Sequence, residues 1–275
     1  MKPTLTLAVF SATALAASKL NPSYEIHFLL DPSVVLAPST DASSSFSLDT
    51  YSLIPPLLSA FSMSTTTLQM SIQYLDTPSQ TLYNAGWSPR IRKLETSSPS
   101  TYELTYKKRY PIASGINAAL ETAKSEGFTS SSPFDGQVEW GWANQTLSVS
   151  DKKDVKIKGY SGLEMPDAED SKRVLRDEAP GLFGLVDELD EARVYGPVRA
   201  RRSVGEWEGE EVDVEVWEVR TEDGEGLEGL VEVSFKTKGY TDAVSRRDAL
   251  VHFLAKRGWL VERDSLKTGL IMGRY

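Results

Sequence analysis

The chain predicts a mainly β domain with a few inserted helices, an α+β class, and three observations carry that expectation. Eight short segments alternate in polarity with a period of two, at 69–75, 89–93, 102–108, 137–142, 146–150, 192–204, 212–219 and 230–236. Valine, isoleucine, tyrosine and tryptophan are frequent in them, as half-buried strands require. Only three stretches carry helical periodicity, and they do not alternate with the strands in the βαβ order that builds a parallel sheet. No linker divides residues 20–275, so they form one domain, and the 40% of hydrophobic residues among 275 supplies its core.

The elements follow in order. Lys2 precedes an apolar, small-residue run from Leu5 to Ala17, with Ala14 and Ala16 spaced like a cleavage site. Residues 1–17 therefore read as a short secretory signal or as an N-terminal structural segment. Threonines weaken the apolar run and cysteine is absent, which favours the cytoplasm over secretion. Residues 39–47, rich in Ser, Thr and Asp, form a loop, and 51–61 a short helix in which Pro55-Pro56 lies near the start or interrupts it. Residues 115–126 are an alanine-rich helix. Residues 168–190 are a charged one broken at Pro180-Gly181. The strongest helix runs from Thr241, an N-cap, through Val244, Leu250, Val251 and Leu254 to the stop at Gly258.

Composition excludes several chemistries. Without cysteine there are no disulfides, thiolate nucleophiles or cysteine-held metals. His27 and His252 are too far apart in the chain for a short metal motif. The formal charge of -9 argues against a broad nucleic-acid surface. That charge is concentrated, because Glu206 to Glu232 holds 12 acidic residues and one basic, Arg220, so the rest is slightly positive. A small anionic ligand is therefore compatible with the composition. No run of 18 apolar residues exists to span a membrane. Neither a GK[ST] phosphate loop nor a dinucleotide glycine fingerprint occurs.

The strand faces are more informative. Residues two apart in a strand point the same way, so Arg90 and Arg92 share a face opposite Ile91. Glu103, Thr105 and Lys107 oppose Tyr102, Leu104 and Tyr106. Asp213, Glu215 and Trp217 oppose three valines, and Glu232, Ser234 and Lys236 oppose Val231, Val233 and Phe235. Arg199 and Arg201 share a face in a less regular segment. Two geometries produce such rows. An ordinary antiparallel sheet shows its charges to water, whereas a wide barrel with helices outside turns them into a cavity.

Several strings carry a resemblance: YEIHF at 24–28, QYLDTPSQTLYNAGWSPRIRK at 73–93, YELTYKKRY at 102–110, VEVSFK at 231–236 and DSLKTGLIMGRY at 264–275. Together they resemble the CYTH-like, or triphosphate tunnel metalloenzyme, superfamily, and within it a fungal subgroup more than the standard phosphatases. The resemblance implies a single antiparallel eight-stranded tunnel-like β-barrel with flanking helices. Such tunnels serve thiamine triphosphatases, tripolyphosphatases, RNA triphosphatases and a class of adenylate cyclase. It also implies carboxylates that hold Mg²⁺ or Mn²⁺ and basic residues that clamp phosphates.

Carried onto this chain, the expected ligand contacts are Arg90, Arg92, Lys107, Arg201, Lys236 and Lys267. The metal ligands are Glu25, Glu215 and Glu232, and the catalytic candidates are Glu215, Glu103 and His27. The first strand departs from the superfamily's Glu-x-Glu-x-Lys pattern, since Glu25, His27 and Leu29 occupy it. An imidazole has replaced a carboxylate, and a leucine has replaced the lysine. Three functions follow as expectations. The first is metal-dependent hydrolysis of a phosphoryl or triphosphate-containing small molecule. The others are a metal-independent isomerase or cyclase of a small metabolite, and a non-catalytic ligand-binding protein with the same fold.

Overall fold

The computed structural model describes residues 20–39, 46–264 and 267–275; the signal-like segment 1–17 lies outside them. In chain order the strands are β1 (Ser23–Leu30), β2 (Leu36–Pro38), β3 (Tyr51–Leu53), β4 (Leu68–Asp76), β5 (Trp87–Leu94), β6 (Thr101–Pro111), β7 (Asp135–Trp140), β8 (Gln145–Lys156), β9 (Arg193–Trp207), β10 (Glu210–Arg220), β11 (Leu227–Thr237) and β12 (Leu260–Val261). The helices are α1 (Pro32–Val35), α2 (Pro55–Ala60), α3 (Thr81–Asn84), α4 (Ile116–Ser125), α5 (Ala168–Asp177), α6 (Tyr240–Ala255) and α7 (Lys267–Arg274). None is long and apolar enough to cross a membrane.

Nine strands close into a barrel, in the ring order β1-β11-β10-β9-β4-β5-β6-β8-β7 and back to β1. The expected eight antiparallel strands are thus corrected to nine in a mixed ring. Neighbours that are all antiparallel need an even number around a closed ring. The ninth strand leaves one parallel junction, β1 with β7, where Glu25 stands opposite Glu139. Short β12 adds to the end of β1 at Leu29 and Leu30, and β2 pairs with β3 outside the ring.

Packing decides which face turns inward. Ile26, Phe28, Val212, Val214, Val231, Val233 and Phe235 point outward and are covered by Leu250 and Leu254 of α6 and by Leu57 of α2. On the opposite flank Ile91, Tyr102, Leu104 and Tyr106 lie under Leu120 and Ala123 of α4 and Leu175 of α5. The apolar faces thus leave water under helices, and the charged faces line the interior. Lys93 belongs to the outer face of β5. It donates to the carbonyls of Ser98, Pro99 and Thr101 at 2.7, 2.8 and 3.0 Å, tying the β5–β6 turn.

A third apolar cluster lies inside the ring. Leu29, Met70, Ile72, Tyr74, Val198 and Trp217 meet Ile271 and Met272 of α7, which fills this end of the barrel. Helix α7 is firmly docked. Gln80 donates to the Met272 carbonyl at 2.8 Å, Arg193 to the Tyr275 carbonyl at 2.7 Å, and Arg274 to the Arg220 carbonyl at 2.6 Å.

Candidate functional site: a charged tunnel

The turn that delivers β5 to the interior is fixed by polar anchors. The Asp76 carboxylate accepts from the backbone N–H groups of Thr77, Leu82 and Tyr83 at 2.7, 2.9 and 2.8 Å. These satisfy donors that a helix start leaves unpaired, so α3 is set by Asp76. Gly86, at φ +84°, then turns the chain, and a Cβ there would stand 2.9 Å from the Arg109 carbonyl oxygen. The LDT and NAG parts of the 73–93 string thus position the paired arginines and do not themselves line the cavity.

The cavity has a volume of about 200 Å³ and is walled by all nine strands of the ring, β8 and β9 contributing one side chain each, Lys152 and Arg202. Eight Lys and Arg side chains line it against five Asp and Glu, so a chain of net charge -9 encloses an electropositive tunnel. Of the expected residues, Glu25, His27, Arg90, Arg92, Lys107, Glu215, Glu232, Lys236 and Lys267 all line it. Glu103 stands behind the arginines: it accepts from Arg92 Nη2 at 2.7 Å and Arg90 Nη2 at 3.3 Å. Burial opposes the Glu103 charge, but the two guanidinium groups outweigh it and hold its carboxyl below the ordinary range.

Arg201 requires a correction. It lies on the outer face of β9 and donates to the carbonyls of Leu48, at 3.0 Å, and Tyr51, at 2.5 Å. Its neighbour Arg202 lines the cavity instead. The pairing of β9 with β4 slips between Ile72 and Tyr74, and such an irregularity breaks the period-two count along a strand. The inner face of β9 is therefore Val198, Ala200 and Arg202, while its outer arginines serve the segment around Leu48.

The polar wall is organised as ion clusters. Glu139 accepts from Lys107 Nζ at 2.6 Å and from Arg109 Nε at 3.1 Å. Glu215 accepts from Arg202 Nη2 at 2.6 Å and Nε at 3.0 Å, from Trp217 Nε1 at 2.9 Å, and from Lys267 Nζ at 2.6 Å. The same Lys267 donates to Glu232 at 2.7 Å. His27 Nδ1 stands 3.6 Å from Glu232. Burial disfavours the His27 imidazolium, but Glu232, Glu139 and Glu25 outweigh it and raise its pKa above the usual value. Arg109, Lys152, Arg202 and Glu139 were not singled out from the sequence. Arg109 continues the Glu103–Lys107 face by the same alternation, and Arg202 pairs across β9–β10 with Glu215.

Arg90 Nε and Arg92 Nε are buried without a hydrogen-bond partner. Lys152 and Lys236 have no ion pair among the described residues. Lys152 is depressed first by burial and then by the charges of Arg90, Lys107 and Lys236, with Glu103 opposing.

The expected metal ligands do not form a free donor set. Glu215 and Glu232 are register partners on β10 and β11, but Lys267 lies between them. Glu25 stands opposite Lys236 on one side and Glu139 on the other. No three acidic or histidine side chains converge on one point among the described residues. Mg²⁺ and Mn²⁺ need oxygen lone pairs, and those of Glu215 and Glu232 are engaged by nitrogen donors. The arrangement does not fit a divalent ion.

No family model matches the chain, and no curated protein sequence matches it. Among solved structures it is similar to an adenylyl cyclase candidate from Hippeastrum, described with a dominant triphosphatase activity. The identity is 17% over 90% of this chain and 93% of that chain, with a TM-score of 0.47. It is also similar to an adenylate cyclase candidate from Bacillus halodurans, at 12% identity over 86% of this chain and 95% of that one, TM-score 0.46. A third, from Vibrio parahaemolyticus, shares 12% identity over 91% and 98% of the two chains, TM-score 0.40.

Proposed function

We propose that the tunnel binds the phosphate portion of a small anionic molecule and hydrolyses a phosphoryl or triphosphate group there, as a fungal-type branch of the tunnel superfamily. The observation that carries this reading is the excess of cations on the cavity wall, where eight Lys and Arg side chains, Arg90 and Arg92 among them, stand against five Asp and Glu. Phosphate oxygens are the acceptors that planar guanidinium groups match best. Lys152 and Lys236, neither of them in an ion pair among the described residues, add positive charge to the same wall. The cavity of about 200 Å³ falls below the roughly 300–1,000 Å³ of pockets that engulf drug-sized molecules. It suits a compact oligophosphate, or the phosphate tail of something larger whose remainder stays outside.

The transition state of phosphoryl transfer spreads negative charge over its non-bridging oxygens and asks the protein chiefly for positioning and countercharge. Arg90 and Arg92, held by Glu103, and Lys107, held by Glu139, provide both. Glu103 acts as a positioning residue in this reading. A second reading, a non-catalytic phosphate-binding protein, is favoured by one observation: Glu103, Glu139, Glu215 and Glu232 all accept from cations of this chain. An isomerase or cyclase of a metabolite calls for an apolar pocket, and this wall is chiefly charged.

The test is phosphate release from tripolyphosphate, ATP and thiamine triphosphate with Mg²⁺, Mn²⁺ or EDTA, beside thermal melting with each compound. Release that disappears in Arg92→Ala supports hydrolysis. A rise in melting temperature without release supports the binding protein, since a ligand of the folded state stabilises it. Neither release nor stabilisation, from folded protein, overturns both readings.

A further inference from the structure

Glu215 and Glu232 face each other across β10 and β11 at the deep end of the tunnel, next to the apolar plug formed by α7. Two neighbouring buried carboxylates repel, and both stay ionised only with cations beside them; otherwise one takes up a proton. The cation here is Lys267, the first residue of α7, whose ammonium lies 2.6 Å from Glu215 Oε2 and 2.7 Å from Glu232 Oε1. The remaining oxygens are also engaged: Glu215 Oε1 by Arg202, at 2.6 Å, and Glu232 Oε2 by His27, at 3.6 Å. Trp217 closes the arrangement. Its indole N–H donates to Glu215 at 2.9 Å, and its ring lies 4.9 Å from the Lys267 ammonium, within cation–π range.

We propose that Lys267 is a tethered cation that stands in the place of a divalent ion between Glu215 and Glu232, so that the tunnel holds its phosphate ligand without metal. The ligand half of this statement rests on the phosphate reading above; the cation half does not. An ammonium with three donors satisfies two carboxylates directionally, and it occupies the position between Glu215 and Glu232 that a divalent ion would have to take. Lys267 is held there by α7, whose Ile271 and Met272 are buried among Leu29, Tyr74 and Trp217. Leu29 packs against α7, and α7 brings Lys267 to the cavity from a segment distant in sequence from β1.

The test reads metal and phosphate separately. Mn²⁺ is titrated into phosphate-free protein and the free ion followed by electron paramagnetic resonance, for wild type, Glu232→Gln, Lys267→Met and Lys267→Met/Glu232→Gln. The expected result is no saturable site in wild type up to millimolar Mn²⁺. Lys267→Met should gain one site at least about tenfold tighter, the range in which neighbouring groups tune metal sites, and the double variant should lose it. Tripolyphosphate binding to wild type by calorimetry should be the same with EDTA as with Mg²⁺. A micromolar Mn²⁺ site in wild type that vanishes in Glu232→Gln overturns the proposal, and this holds even if Lys267→Met fails to fold. Tripolyphosphate binding that requires Mg²⁺ also overturns it. Absence of tripolyphosphate binding under both conditions overturns the phosphate reading alone, and the Mn²⁺ titration still decides the role of Lys267.

Discussion

Glu139 shows how the tunnel stores its charge in single residues. It is 7% exposed and survives ionised because Lys107 and Arg109 converge on its two oxygens. Burial works against the charge, but these cations and their hydrogen bonds hold the carboxyl well below the usual range. A carboxyl depressed on folding contributes stability that is present above its unfolded pKa, about 4.3, and is lost as pH falls through the folded value. Glu139→Gln strands two cations and should cost about 3–5 kcal/mol at pH 7. Urea denaturation of both proteins from pH 7 downward should show the gap shrinking only below about pH 4. A gap independent of pH would mean that packing, and not charge, is what Glu139 supplies.

At the scale of elements, the strands were legible because period-two alternation is a local signal. The eight alternating segments and the Tyr24–Phe28 string account for all nine barrel strands; the count of eight came from the resemblance. Which face turned inward was legible as a row but not as a direction, since an open sheet and a barrel share the pattern. β9 misled at Arg201 for a physical reason: its inner face carries Val198 and Ala200 beside the plug, and its outer face carries arginines for the Leu48 segment, so the usual polarity is inverted. Helix α7 was illegible, being short and interrupted by Gly269 and Gly273. The β9 assignment predicts opposite outcomes for neighbouring substitutions. Arg202→Ala should weaken tripolyphosphate binding about tenfold, or 1.4 kcal/mol, measured by calorimetry. Arg201→Ala should leave affinity unchanged while lowering the melting temperature through the lost carbonyl contacts.

The whole molecule separates its charge. The net of -9 coexists with a tunnel in which cations outnumber carboxylates, so an incoming anion is repelled at a distance and attracted at the mouth. Salt screens the first effect more than the second, because the Debye length is about 10 Å at 0.1 M and partly buried charges are screened less. Association of tripolyphosphate should therefore speed up between about 20 and 200 mM salt, with the dissociation rate changed less, as read by stopped-flow mixing. An association rate that falls steeply with salt would show that the tunnel field dominates at long range.

The ring order also has a consequence for how the chain is made. β1 is the first barrel strand to be synthesised, yet its partners are β11 at nearly the other end, with Tyr24 opposite Thr237, and β7 in the middle. Local hairpins such as β5–β6 and β9–β10 form from neighbouring sequence, but the seam on both sides of β1 joins distant segments. Closing such long loops is entropically slow. During synthesis the N-terminal strand waits with its apolar residues Ile26 and Phe28 uncovered until β11 and α6 have emerged. Barrel closure should thus be the last and slowest folding event, with aggregation most favoured just before the seam is sewn.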